Sequence, residues 1–184
     1  ITNANGLDFA GLMTYPPVGG AMAVMDFMNK TVEKLTAAGL SCPAVSSGGS
    51  PDMWQAHRQT VATEYRIGTY IYNDRSLVER GVCDWADCAL TVLATVVSTP
   101  TPNRSVIDAG SKSLTSDLLG LDGYGYILNH PEARIVSLSE EHGVLHHDTN
   151  NLFKVGDQIS IVPNHVCVVS NMFDSVWIQR KSGD

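Results

Sequence analysis

Apolar and polar positions alternate along this chain in two different rhythms. Leu7 to Tyr15 is a short apolar run stopped by Pro16-Pro17, and Ala21 to Ala38 then spaces Met22, Met25, Phe27, Val32 and Leu35 as a helix would, up to Gly39. This predicts a strand followed by an amphipathic helix. Cys42 to Ser46 reads as a second strand running into Gly48-Gly49-Ser50-Pro51, after which Asp52 to Arg58 begins a helix with Pro51 near its first turn. Ile67 to Tyr72 is expected as a third strand. From about Cys88 the texture changes. Ala89–Ser98, Arg104–Asp108, Arg134–Leu138, Gln158–Val162 and Ser175–Gln179 are rich in β-branched residues and are separated by Gly, Asn, Asp and Pro turns. No internal repeat interrupts either half.

The expected architecture is therefore α/β followed by all-β, with a division in the polar stretch from Asn73 to Asp87: residues 1–84 form a β/α domain and residues 85–184 a mostly antiparallel β-domain. Strands joined through helices are parallel and line a doubly wound sheet or a barrel. Three such strands do not close a barrel, since the common version needs about eight. They form either a small open sheet or the last part of a larger one.

Composition narrows the function classes. The 184 residues are 43% hydrophobic and 17% charged, enough for a buried core. A formal charge of -7 repels a nucleic-acid backbone. No apolar run approaches the ~20 residues needed to cross a bilayer, and the first residues have neither the basic end nor the apolar centre of a secretory signal. Cys42, Cys83, Cys88 and Cys167 are too few and scattered for a disulfide scaffold, so a reducing cytoplasm is expected. The chain starts at Ile1 and runs at once into an apolar strand, which leads us to expect a preceding segment.

Three local signals bear on chemistry. In Val162-Pro163-Asn164-His165-Val166-Cys167 an extended chain would point the His165 imidazole and the Cys167 thiol to one side, a donor pair that suits Zn²⁺. A turn histidine beside a small core cysteine accounts for the same spacing. Ser46-Ser47-Gly48-Gly49-Ser50-Pro51 lies between a strand and a helix, where glycines and the helix N–H groups favour a phosphate, although a simple tight turn has the same composition. Tyr70 would sit at the carboxyl end of the next strand, near that loop. Asp108, Asp117 and the pair Glu140-Glu141 read as turn and surface chemistry. Cys83, Cys88 and His146-His147-Asp148 have no partner at diagnostic spacing.

Taken in order, GLMTYPP (11–17), SSGGSP (46–51), TEYRIGTYIYND (63–74), VLATVVSTP (92–100), VIDAGSKSLTSD (106–117), SLSEEHG (137–143) and IVPNHVC (161–167) resemble the C-terminal half of the D-threonine aldolase and D-serine dehydratase family. These are pyridoxal-phosphate enzymes with the alanine-racemase fold. The resemblance implies the C-terminal part of a (β/α)₈ barrel followed by the family's β-domain. It implies that Gly48, Gly49 and Ser50, with Ser47 beside them, hold the cofactor phosphate, that Tyr15 contacts the cofactor, and that Tyr70 is a further phosphate partner. It also implies that His165 and Cys167 bind a divalent ion, Zn²⁺ or Mn²⁺, that takes the β-hydroxyl of a small D-amino acid, and that a homodimer is possible.

Loss of the α-proton first makes such an enzyme a dehydratase; deprotonation of the β-hydroxyl makes it an aldolase. By the same resemblance, the aldolases pair the histidine with Asp and the D-serine dehydratases with Cys, so Cys167 favours the dehydratase. The family's Schiff-base lysine has no counterpart here, because none of Lys30, Lys34, Lys112, Lys154 or Lys181 falls at a matching position. The expectation is then that these residues are the C-terminal part of a longer polypeptide. A non-catalytic remnant and an amino-acid racemase are the competing readings.

Overall fold

A computed structural model of the protein describes residues 1–180, so Lys181 lies outside the described residues. The chain divides into two compact units, Ile1–Tyr70 and a second that begins at Ile71.

The first unit is built on a three-stranded parallel sheet. Strand β1 (Gly11–Met13) leads through helix α1 (Ala21–Ala37) to β2 (Ala44–Ser47), and β3 (Glu64–Tyr65) pairs with the far side of β2. Helix α1 turns its apolar stripe inward at Ala21 and Met28. It stops at Gly39, where a φ of +74° reverses the chain and lets the Leu40 N–H reach the Leu35 carbonyl. Between β2 and β3, Ser50–Arg58 is wound as 3₁₀ turns broken by a kink at Asp52 (φ -108°, ψ 19°), with Pro51 in the first turn, tighter than the helix expected from Asp52 onward.

Two strand assignments in this unit are corrected. The run from Leu7 forms a ladder only over Gly11–Met13, because its partner β2 offers just Ala44, Val45 and Ser46. The third strand lies at Glu64–Tyr65 instead of Ile67–Tyr72, and Thr69–Ile71 is a 3₁₀ turn. After Ser47 accepts from the Arg66 N–H, Gly48 turns β2 away at φ +111°, and no edge remains for residues beyond Arg66 to pair with.

The second unit holds a six-stranded antiparallel sheet of β4 (Val92–Thr101), β5 (Arg104–Ile107), β6 (Tyr126–Ile127), β7 (Ala133–Leu138), β8 (Gly143–His147) and β9 (Gln158–Val162). Their order is β6-β9-β4-β5-β8-β7. Strand β4 alternates buried Val92, Ala94 and Val96 with outward residues, the pattern of a sheet with one face on a core. Ile107, Ile127, Ile135, Leu145 and Ile161 close that core with no exposure. The Tyr124 N–H, just before β6, donates to Ile135 of β7, so the outermost strands approach and the sheet nearly closes on itself.

That closure accounts for a third correction: Ser175–Gln179 forms no strand, since neither outer edge is open to it, and Val176, Trp177 and Ile178 are exposed. Three short helical turns join the sheet: α2 (Arg75–Val78), α3 (Ser111–Leu114) and α4 (Val166–Asn171). The division between units comes before the 84/85 position that composition indicated. Residues 71–84 pack with the second unit because the main chain of Arg75 and Ser76 donates to the carbonyls of Pro163 and Asn164. No helix among the described residues is long and apolar enough to cross a membrane.

Candidate functional site

Two groups of residues with chemical potential are built, one in each unit. In the first, the carboxyl ends of β1 and β2 open onto a cavity of about 170 Å³ lined by Tyr15, Pro17, Gly49, Pro51, Asp52 and Tyr65. The glycines are required by packing. A Cβ on Gly48 would lie 2.6 Å from the Tyr65 ring, and one on Gly49 would lie 3.0 Å from the Tyr15 hydroxyl. The backbone therefore passes directly under two aromatic rings, a cradle that any side chain would fill.

The Tyr65 hydroxyl donates to the Gly49 carbonyl at 3.3 Å. Burial and the nearby Asp52 carboxylate push the Tyr65 phenol above its ordinary range. Arg66 brings positive charge to the same strand ends, donating to the Thr14 carbonyl at 2.7 Å and to the Ser46 hydroxyl. Sequence reading left Arg66 without a role, although it stands inside a quoted motif.

The other predicted loop residues have more structural tasks. Ser47 donates to Gln59 Oε1 at 2.7 Å, and both are buried. The Ser50 hydroxyl accepts from the Thr69 N–H at 3.1 Å, which ties the 3₁₀ turn to the loop. Tyr70 follows in that turn and is exposed; it does not line the cavity, because its segment is a turn and not the expected strand end. Among the described residues no lysine lines the cavity either. Lys30 pairs with Asp26, Lys112 pairs with Glu140 and Glu141, and Lys34 and Lys154 are exposed.

In the second unit His165 and Cys167 follow β9 and Pro163-Asn164. The two-residue spacing does not belong to an extended segment, which corrects the strand geometry expected for it. His165 is extended (φ -135°, ψ 93°) but is the residue before α4, so Cys167 already lies in the first helical turn. The thiol is exposed and the imidazole half-buried. Imidazole Nδ1 stands 2.7 Å from Asp117 Oδ2. An ionised carboxylate only accepts, so in this contact Nδ1 donates and the second ring nitrogen, Nε2, carries the lone pair.

The backbone around this pair is anchored from below. Asn164, buried, donates to the carbonyls of Gly123 at 2.8 Å and Asp117 at 3.4 Å and accepts from Arg75 Nη1 at 3.3 Å. Asp74, with no exposure, takes the Ser76 hydroxyl and the Leu77 N–H on one oxygen and the Val166 N–H on the other. It thus caps α2 and holds the start of α4 at once. Sequence reading missed Asp74 and Asn164. The one available signal was Asn73-Asp74 before a short helical stretch, which reads as a cap and says nothing of a partner 92 positions away.

By donor type, an imidazole nitrogen and a thiol suit Zn²⁺ and the glycine cradle with its cavity suits a phosphate-bearing group, while among the described residues no three or more His, Cys, Asp or Glu side chains gather as a metal site. The remaining signals prove structural. Asp108 accepts from the Thr95 N–H at 2.7 Å, and His147 is buried between the Ser105 hydroxyl and the Thr149 carbonyl. Cys83 and Cys88 face each other across the turn closed by Asp84 and Asp87, and burial, with Cys83 and Asp74 adding, pushes the Cys88 thiol up to about 12.

Comparison with known proteins follows the same lines. Residues 89–179 match the family described as "Putative serine dehydratase domain". An uncharacterized protein of Mycobacterium tuberculosis is 42% identical over 58% of this chain and 85% of its own length. The D-threo-3-hydroxyaspartate dehydratase of Delftia sp. HT23 is 32% identical over 78% of this chain and 43% of its own. A Cys→Ala variant of that dehydratase, solved in its metal-free form, superposes with a TM-score of 0.81 at 28% identity, over 97% of this chain and 55% of the variant. A His→Ala variant of it has also been solved. The D-threonine aldolase of Filomicrobium marinum gives a TM-score of 0.78 at 28% identity, over 94% of this chain and 50% of the aldolase.

The chain spans about half the length of the dehydratase and the aldolase it matches. The sheet of the second unit, the parallel strands of the first and the ordered motifs all agree with these matches, and the chain belongs to the D-serine dehydratase and D-threonine aldolase family of D-amino-acid lyases, with its alanine-racemase-like fold.

Proposed function

We propose that this chain carries the phosphate-loop and metal-binding portions of a pyridoxal-phosphate- and divalent-metal-dependent lyase of D-β-hydroxy amino acids, of the D-serine dehydratase type. The observation that carries the proposal is the His165–Cys167 pair with its imidazole turned by Asp117. The related dehydratase supports it. The two residues replaced in its His→Ala and Cys→Ala variants stand two apart, as His165 and Cys167 do, and the second variant is described as metal-free.

When bound, pyridoxal phosphate supplies an electron sink for breaking a bond to the substrate α-carbon, and the divalent ion supplies a Lewis acid for an oxygen substituent. The chain's own residues hold and orient. Gly48 and Gly49 leave room for a phosphate beside the backbone, with Ser50 in support. The Tyr15 ring lies over Gly49 and presents a face and a hydroxyl to a planar ring. Arg66 offsets the phosphate charge from the strand ends. His165 keeps a proton on Nδ1, against Asp117, and so offers Nε2 and not N–H to the ion.

By the family resemblance, Cys167 at the second ligand position favours the dehydratase over the aldolase, although the aldolase of Filomicrobium marinum matches the fold equally well and keeps retro-aldol cleavage as the second reading. Assay of the natural gene product on D-serine, D-threonine and D-alanine in parallel tests both. We expect pyruvate and ammonia from D-serine, abolished by a chelator and restored by Zn²⁺ or Mn²⁺. Glycine and acetaldehyde from D-threonine alone would establish the second reading, and turnover indifferent to chelators would remove the role given to His165 and Cys167.

A further inference from the structure

We propose that Asp117 is a positioning residue that fixes the tautomer and rotation of the His165 ring and so sets the affinity of the metal pair. The inference rests on the metal reading of His165 and Cys167 and adds a residue to it. Asp117 Oδ2 lies 2.7 Å from His165 Nδ1, across 48 positions of sequence. Among the described residues its carboxylate makes no ion pair with a lysine or arginine, and the side chain it faces is the imidazole.

The segment that carries Asp117 is itself held on both sides. The Asp117 N–H donates to Thr115 Oγ1 at 3.1 Å, and the Asp117 carbonyl accepts from Asn164 Nδ2 at 3.4 Å. Thr115 takes a φ of +61°, a left-handed conformation that a threonine adopts only when its surroundings impose it. Asn164 is the residue before His165. One buried amide therefore registers the carboxylate against the ring it faces.

The chemistry of the contact is one-sided. A neutral imidazole has one N–H and one lone pair, and a carboxylate facing Nδ1 keeps the proton there. The lone pair is then on Nε2, the ring edge turned away from Asp117. Such outer carboxylates orient ligating histidines and raise their basicity, and losing one typically weakens metal binding by about 10- to 100-fold.

The test uses the whole chain and two readouts. First, ¹⁵N shifts of the histidine rings at pH 8, with His165→Gln identifying the signal, report which nitrogen carries the proton. We expect a proton on Nδ1 and a bare Nε2. A ring protonated on Nε2, alone or with Nδ1, overturns the proposal without any Asp117 variant. Second, Zn²⁺ affinity is measured by competition with a chromophoric chelator for the unaltered chain and for Asp117→Asn. The amide is isosteric and leaves the main-chain bond from Asn164 in place, but its N–H₂ donates to Nδ1 and drives the proton to Nε2. We expect affinity to fall by about 10- to 100-fold, with a reversed tautomer and an unchanged melting temperature. Equal affinity and an unchanged tautomer overturn the role of Asp117 and leave the metal pair standing. Failure of the unaltered chain to take up Zn²⁺ at His165 overturns the metal pair and the role of Asp117 together.

Discussion

At Gly48 a φ of +111° and the Tyr65 ring both exclude a side chain. Gly48→Ala should destabilise the first unit by about 1–3 kcal/mol, because the left-handed backbone and the clash add. Chemical denaturation followed by tyrosine and tryptophan signals checks this, and a variant as stable as the parent would show that the loop yields easily. Cys88 offers a second test at this scale. Burial raises its thiol from the ordinary 9.0 to about 12, so it stays protonated near neutral pH and should react with iodoacetamide far more slowly than exposed Cys167. The same shift gives a sign for stability. Above about pH 9 the unfolded chain loses this proton while the folded chain keeps it, so unfolding becomes easier as pH rises from 9 toward 12. Replacing Cys88 by Ala should flatten that part of the pH–stability curve.

Among elements, α4 depends on a residue far from it in sequence. Asp74 satisfies the first N–H of α4 at Val166 and caps α2 at Leu77 in one buried carboxylate. Asp74→Ala leaves the Val166 N–H without a partner, at a cost of about 1–3 kcal/mol, takes the side-chain cap from Leu77, whose N–H keeps only the main-chain carbonyl of residue 74, and should loosen the backbone that presents Cys167. Hydrogen exchange at Val166 and Leu77 is the measurement: both amides should lose protection together. Protection lost at only one would mean that α2 and α4 are not held as a unit.

The element scale also shows where pattern reading reached. Helix α1 and strand β9 stand almost where hydrophobic spacing puts them, because their periodicity is local and strong. Ile67–Tyr72 and Ser175–Gln179 have the composition of strands and are not strands. Whether a β-branched segment pairs depends on an open edge elsewhere, and that edge is absent for both.

For the molecule as a whole, four of the five lysines lie among the described residues. None of those described lines the cavity beside Gly49, so this chain taken alone should bind pyridoxal phosphate without a covalent link. Titration should show cofactor absorbance saturating, and borohydride should trap no adduct. A reduced adduct on any of the four described lysines would contradict the cavity as described.

The ordered motifs identified the family; residue type and spacing made the glycine loop and the His165–Cys167 pair candidates, and Tyr15 became one only through the resemblance. Tyr70, a phosphate partner by the resemblance, stands in a 3₁₀ turn where a strand end was expected. Asp117 was visible only as a turn carboxylate, and Asp74 and Asn164 not as parts of a site at all.

The sequence by itself determined which donors exist, where helical and alternating periods run, and to which family their order belongs, since each of these is written within a few neighbouring residues. Only the tertiary structure decided which carboxylate meets which imidazole, which amide anchors both, and which apolar segments find an edge. Those are contacts across 47 to 92 positions, set by how the sheet closes, and no local pattern carries the register of a closure.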